Sequence, residues 1–190
     1  EMPSRCPVCG SEVYREEGEV VRRCLSQACP AKLKESLLHW ASRKAMKIDG
    51  LGERIVDQLV EKGIAGDISG LYHLTQDQLE GLERMGPKSA ENLLKEIDAS
   101  RSLEFWRLLF GMGIRHVGER TAQILAREFG SMERLEQASR EELEQVHEIG
   151  PKLAESIYEF LRQPENQQLI ERLRSAGLQM KSDEPVAPKA

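Results

Sequence analysis

The chain has 190 residues, with 27 Lys and Arg against 32 Asp and Glu, for a formal net charge of −5. That balance excludes a generally basic nucleic-acid coat, so polyanion binding has to come from local placement of charge. A 39% hydrophobic content supports one or two modest cores, the 5% aromatic content leans helical, and no apolar run reaches the length of a membrane span. With no signal peptide visible either, the expectation is a soluble, cytoplasmic protein without a membrane partner.

All four cysteines fall in the first 29 residues: Cys6 and Cys9 with two residues between them, fourteen residues, then Cys24 and Cys29 with four between them. Two knuckles joined by a polar, strand-like ribbon (Glu12 to Arg23) can bring four thiolates to the corners of a tetrahedron, the arrangement favoured by a structural zinc ion with no open site for water. Two disulfides are the alternative, but nothing else suggests export, and a reducing compartment favours the metal. Arg5, Arg22, Arg23, Lys32 and Lys34 lie close enough in sequence to screen the negative cluster.

Pro30 then opens a helix predicted to run to about Ala45, with Leu33, Leu37, Leu38, Trp40 and Ala41 as its packing stripe. His39 and Trp40 read as core and boundary residues. The tetrapeptide Lys47-Ile48-Asp49-Gly50 matches the pattern around a nucleotidyltransferase's nucleophilic lysine. It lacks the nucleotide pocket, carboxylates and sheet scaffold that such chemistry needs, so it reads as the entry to a helical hairpin.

From there a unit recurs. Gly52, Gly86, Gly118 and Gly150, separated by 34, 32 and 32 residues, each carry a basic residue two positions on: Arg54, Lys88, Arg120 and Lys152. Val56, Ala90, Ala122 and Ala154 follow at four, and Leu59, Leu93, Leu125 and Ile157 at seven. Ile48 and Leu51, Leu82 and Met85, Ile114 and Val117, and Val146 and Ile149 precede the glycines by four and by one. The copies alternate Gly-Glu-Arg with Gly-Pro-Lys, so the larger repeat is a pair of hairpins. Each corner glycine can take φ > 0 or allow a close approach, and the helix that follows starts with bare amides at the positive end of its dipole, a natural seat for phosphate. Thr75-x-x-Gln78 and Ser139-x-x-Glu142 are capping boxes placed alike in the two pairs, and the connectors Asp67 to Leu74 and Ser131 to Gln137 correspond as well. Leu103, Trp106, Leu108, Leu109 and Phe110 make an apolar segment between the halves. Glu165 to Ala176 reads as a last helix stopped by Gly177, and 181–190 has the composition of a linker.

The predicted architecture is therefore mainly α: a four-cysteine zinc module (1–30), a connecting helix (31–47), four helix-hairpin-helix units arranged as two pseudo-symmetric pairs (48–180) and a tail (181–190). The zinc module, the run S-R-K-A-M-K-I-D-G-L-G-E from Ser42 and the run G-I-R-H-V-G-E-R-T-A from Gly113 together resemble the carboxy-terminal half of bacterial NAD-dependent DNA ligases, over roughly Pro3 to Gln179. The resemblance implies that Cys6, Cys9, Cys24 and Cys29 hold zinc. It also implies that the hairpins grip nicked duplex DNA by its backbone phosphates across the minor groove, through Gly50, Gly52, Arg54, Arg84, Gly86, Lys88, Arg115, His116, Gly118, Arg120, Gly150 and Lys152. Adenylation, oligonucleotide-binding and BRCT domains of the same polypeptide would be its partners. NAD would serve the parent enzyme and not bind this chain, which would not be catalytic alone.

The general hairpin pattern has a glycine two before the second one. Only Gly50 keeps it, while Arg84, His116 and Glu148 replace it, and Glu148 makes the fourth hairpin the weakest expected phosphate contact. A hairpin of this kind reads phosphate and not base edges, so binding is expected to be independent of sequence and steeply salt dependent. A freestanding repair or recombination DNA-binding protein without ligase activity is the alternative. A protein-interaction scaffold using the acidic stretch 51–100, where ten acids face five bases, and a glycosylase are further rivals.

Overall fold

The first long helix, α1 (Pro30–Ala41), begins where the cysteine pattern ends: Cys29 is its N-cap and Pro30 occupies the first turn, where no N–H is needed. A computed structural model describes residues 2–26 and 28–183. Ahead of α1, the expected ribbon pairs only over two short antiparallel strands, β1 (Val13–Tyr14) and β2 (Arg23–Cys24), with Val13 opposite Cys24. The helix expected to reach Ala45 stops at Ala41. Ser42 turns extended (φ −61, ψ 156), and the amides of Ala45, Met46 and Lys47 fold back onto the carbonyls of Ser42 and Trp40.

Four packed helix pairs follow. They are α1 with α2 (Glu53–Glu61), α3 (Gln76–Glu80) with α4 (Pro87–Ser100), α5 (Phe105–Gly111) with α6 (Glu119–Phe129), and α8 (Arg140–Glu144) with α9 (Pro151–Arg162). Between the members of each larger pair lies one short helical connector, a 3-10 helix over Ile68–His73 in the first half and α7 (Met132–Gln137) in the second. Both capping boxes form, at Thr75 and Ser139. The two halves thus repeat one plan, and α10 (Pro164–Ser175), ended by Gly177 at φ 85, closes the domain.

The predicted register sorts inside from outside. Val56, Ala90, Ala122 and Ala154, with Leu59, Leu93, Leu125 and Ile157, are all buried, as are the apolar residues flanking the four corners, save the half-buried Val146. Burial of these stripes, not helix propensity, holds such short helices.

The halves meet where α5 crosses α1. A Cβ on Gly111 would stand 2.9 Å from the Trp40 ring, so only glycine permits that approach. Trp40 donates to the Tyr72 hydroxyl (3.0 Å), which bonds the Ser100 hydroxyl (2.8 Å), so the one buried indole N–H is satisfied. His39 stacks on Phe110 and bonds its carbonyl, as a boundary residue should. From α10, Arg172 reaches Asp67 (2.5 Å) and Ser69 (3.3 Å) at the start of the 3-10 helix.

Lys181, counted with the tail from sequence, bridges to Ser131, and the amides of Met132 and Ser182 bond the carbonyls of Met180 and Gly130. Chain pairing therefore extends past 180, while 184–190 lies outside the described residues.

Candidate metal centre and hairpin corners

The module ahead of α1 buries only Cys6 and Cys29 among the described residues, and it carries the exposed large hydrophobics Met2, Val8, Tyr14, Val20, Val21 and Leu25. A piece that small and that open needs a staple. Its four thiols are free and converge: Cys6 Sγ lies 3.8 Å from Cys29 Sγ, Cys9 Sγ 3.4 Å from Cys24 Sγ, and all four fall within 4.8 Å of one another. A tetrahedron with Zn–S bonds of about 2.3 Å has edges of about 3.8 Å, whereas a disulfide would need about 2.05 Å. The donor set therefore fits zinc with no open position. Hydrogen bonds from the Ser11 hydroxyl and amide pull the Cys9 thiol down to about 6, while Cys24, despite the Ser26 amide, is pushed up to about 11 by burial and the neighbouring thiols, so a bound metal has to displace the remaining protons.

A second cluster, Glu16, Glu19 and His116, also converges, but its cation is already present. Arg115 Nη2 sits 2.5 Å from Glu16 and 2.8 Å from Glu19, and the Arg115 guanidinium beside it holds the Glu19 carboxyl below its usual range. The zinc module is thereby tied to the third hairpin corner.

Each corner is a four-residue turn. The amides of Leu51, Met85, Val117 and Ile149 bond the carbonyls of Ile48, Leu82, Ile114 and Val146 (3.4, 3.3, 3.0 and 3.0 Å). The third residue of each turn takes the left-handed conformation: Gly50 at φ 92, Arg84 at 58, His116 at 67 and Glu148 at 71. Of the two geometries open to the second glycine, φ > 0 is not used, since Gly52, Gly86, Gly118 and Gly150 are extended at φ −93, −86, −89 and −81. All four corners also share one backbone, so the departure at Glu148 does not deform the fourth. Buried flanking residues and the turn hydrogen bond hold non-glycine residues in a region that costs them about 1–2 kcal/mol.

Nothing among the described residues explains the second glycines. A Cβ at any of them would meet no atom within 4 Å, and their φ values are open to every residue. Each is the N-cap of a helix with no side-chain cap, as are Cys29, Glu104 and Gln163, whereas Asp67, Thr75, Ser131 and Ser139 cap theirs. The corners are exposed, so bare helix amides and open space coincide four times.

The candidate side chains are less uniform. Arg54, Arg84 and Lys152 are exposed without a side-chain ion pair among the described residues, and Lys88 pairs weakly with Glu91 (3.4 Å). Arg120 is held by Glu148 through two bonds (3.0 and 2.6 Å), beside a groove of about 750 Å³ shared with Trp106, Gln123 and Arg127. Arg115 is half-buried by Glu16 and Glu19, and His116 is exposed beside them. Sequence reading missed both carboxylate partnerships. Lys47 of the tetrapeptide decoy is exposed at φ 46 and leads into the first turn.

Three family models match parts of the chain. Residues 5–31 match the NAD-dependent DNA ligase C4 zinc finger domain, 42–99 a SAM-like helix-hairpin-helix tandem and 107–170 a helix-hairpin-helix motif. Similar proteins include a DNA ligase of Acidobacterium capsulatum, 58% identical over 177 residues covering 93% of this chain and 26% of the relative. Others are DNA ligases of Koribacter versatilis (51% over 180 residues, 95% and 27%) and Solibacter usitatus (52% over 178 residues, 94% and 27%). The chain spans about a quarter of the length of these relatives.

Proposed function

We propose, from the premise that this chain belongs to the NAD-dependent DNA ligase family as its zinc-finger and helix-hairpin-helix portion, that it holds nicked duplex DNA by the backbone while the rest of a longer polypeptide seals the nick. The carrying observation is the fourfold coincidence of an exposed, uncapped helix start with a glycine whose missing Cβ serves nothing inside the protein. A phosphate oxygen fits there: it accepts from the bare amides, meets the positive end of the helix dipole and needs the space a Cβ would take. Lys and Arg two residues on add charge without reading bases.

The longer polypeptide would bring the NAD-dependent adenylation chemistry, the oligonucleotide-binding barrel and the BRCT domain. This chain contributes grip and not reaction. Several weak contacts made together keep the nick's ends aligned for transfer, and the zinc keeps the module beside the third corner. The test is a titration of labelled nicked duplexes of unrelated sequence with the zinc-loaded chain. Equal affinities near ~10⁻⁴ to 10⁻⁶ M at physiological salt are expected, with log K falling by about 0.9 per phosphate for each decade of salt. No binding at low salt, or strong preference for one sequence, would refute the reading.

A further inference from the structure

We infer that Glu148 divides phosphate binding unequally between the two hairpin pairs, holding the Arg120 charge neutralised until DNA takes Arg120 from it. This rests on the duplex-binding reading above. Arg120 lies two residues after Gly118, and Glu148 lies two before Gly150, so their bidentate ion pair joins the two corners of the second pair. Ser156 holds the same corners together by donating to the Arg115 carbonyl (2.7 Å).

In the first pair the corresponding positions are Arg54, two after Gly52, and Arg84, two before Gly86. There Gln58 joins the corners, accepting from the Glu83 amide (2.7 Å) and donating to the Arg54 carbonyl (3.3 Å). One backbone plan thus presents two cations in the first pair and a closed ion pair in the second. Arg115, which could have added charge to the second pair, is occupied by Glu16 and Glu19.

A phosphate approaching the first pair meets attraction from both side chains. At the second it meets a neutral pair whose carboxylate stands beside the seat of the fourth corner. The Arg120 side chain is 79% exposed, so its ion pair is weak and can be exchanged for a phosphate brought close by the first pair. Duplex DNA is then gripped by the first pair and completed by the second, and Glu148 sets how readily the second step occurs.

The test uses the zinc-loaded 190-residue chain and a labelled nicked duplex, titrated across salt concentrations, with melting curves to confirm that each variant is folded. Glu148→Gln keeps the shape and removes the charge. It is expected to tighten binding about threefold to fivefold at about 50 mM salt and to steepen the salt slope by up to about 0.9, as Arg120 engages its phosphate in a larger share of complexes. Arg84→Glu, which copies the second pair's charges into the first, is expected to weaken binding and flatten the slope by about 1.8, equivalent to neutralising two phosphates fewer. If Glu148→Gln changes neither affinity nor slope while Arg84→Glu weakens binding, the division is overturned and the duplex reading stands. If neither the parent chain nor Glu148→Gln binds at about 50 mM salt, the duplex reading fails and this inference with it.

Discussion

The two hairpin pairs are close to a repeat in backbone and far from one in charge. Both place an exposed glycine N-cap after a turn with a left-handed third residue, and both open the first helix of the second unit with a capping box. Among the described residues, only the second pair has its corner arginines covered by carboxylates, Arg120 by Glu148 of its own and Arg115 by Glu16 and Glu19 of the zinc module. On the proposed reading, the difference teaches that backbone geometry decides where a phosphate can sit, while side-chain pairing decides how strongly each seat draws one. A duplicated fold can thus keep its shape and diverge in strength by a few exposed charges.

Removing the metal should separate the pairs most strongly, because the zinc module touches the third corner through Arg115. Structural zinc contributes on the order of 10–16 kcal/mol in small finger peptides, so a chelator should unfold the module. Hydrogen exchange is expected to quicken at the amides of Arg115 to Gly118 and to change little at Glu83 to Gly86. Equal quickening at both corners would mean that the Arg115 clamp does not anchor the third hairpin.

The corner glycines give the next largest contrast. Gly86→Val is expected to weaken duplex binding about tenfold, or about 1.4 kcal/mol, and Gly150→Val less than about threefold, since the fourth seat already lies beside Glu148. Both variants should remain folded, because a Cβ there meets open space and an allowed φ. A titration placing Gly150→Val as the more damaging would reverse the assigned ranking of the pairs.

The smallest effect concerns the joint between them. Burial alone would raise the Asp67 carboxyl, but the Ser69 hydroxyl, the Arg172 guanidinium and the Gly70 amide outweigh it and hold it below its usual range. A carboxyl depressed on folding adds stability at neutral pH that is lost as the pH falls through its folded value, below about 3.8. Arg172→Ala should therefore cost about 1 kcal/mol at neutral pH, discounted for exposure, and make the acid limb of the stability curve shallower. An unchanged acid limb in denaturant melts would show that Arg172 is not its source.

The helical period carried most of this architecture, since Leu59, Leu93, Leu125 and Ile157 stand seven residues after each glycine and all four are buried. The cysteine spacing was equally direct, because four thiols within 24 residues have few ways to meet. The turn conformation was less so. Arg84, His116 and Glu148 looked like departures from a glycine, yet the buried residues on either side force the same left-handed turn on them.

The charge partnerships were out of reach for a different reason. Arg115 meets Glu16 and Glu19 across about a hundred residues of chain, and Arg120 meets Glu148 across two corners. No local period encodes such pairs, and charged residues at exposed positions read alike whether they are paired or free. Reading Glu148 against its counterpart Arg84 would have exposed the asymmetry, though not the bond.

The empty N-caps have one more consequence. An aspartate at residue 86 would accept from the amides of its own helix and suit the dipole, a gain of about 0.5 kcal/mol. The same oxygen would occupy the space left for a visitor. Selection for heat resistance alone would fill such corners one by one and yield a hardier protein that holds nothing, so the unfilled ends mark where durability has been forgone for contact.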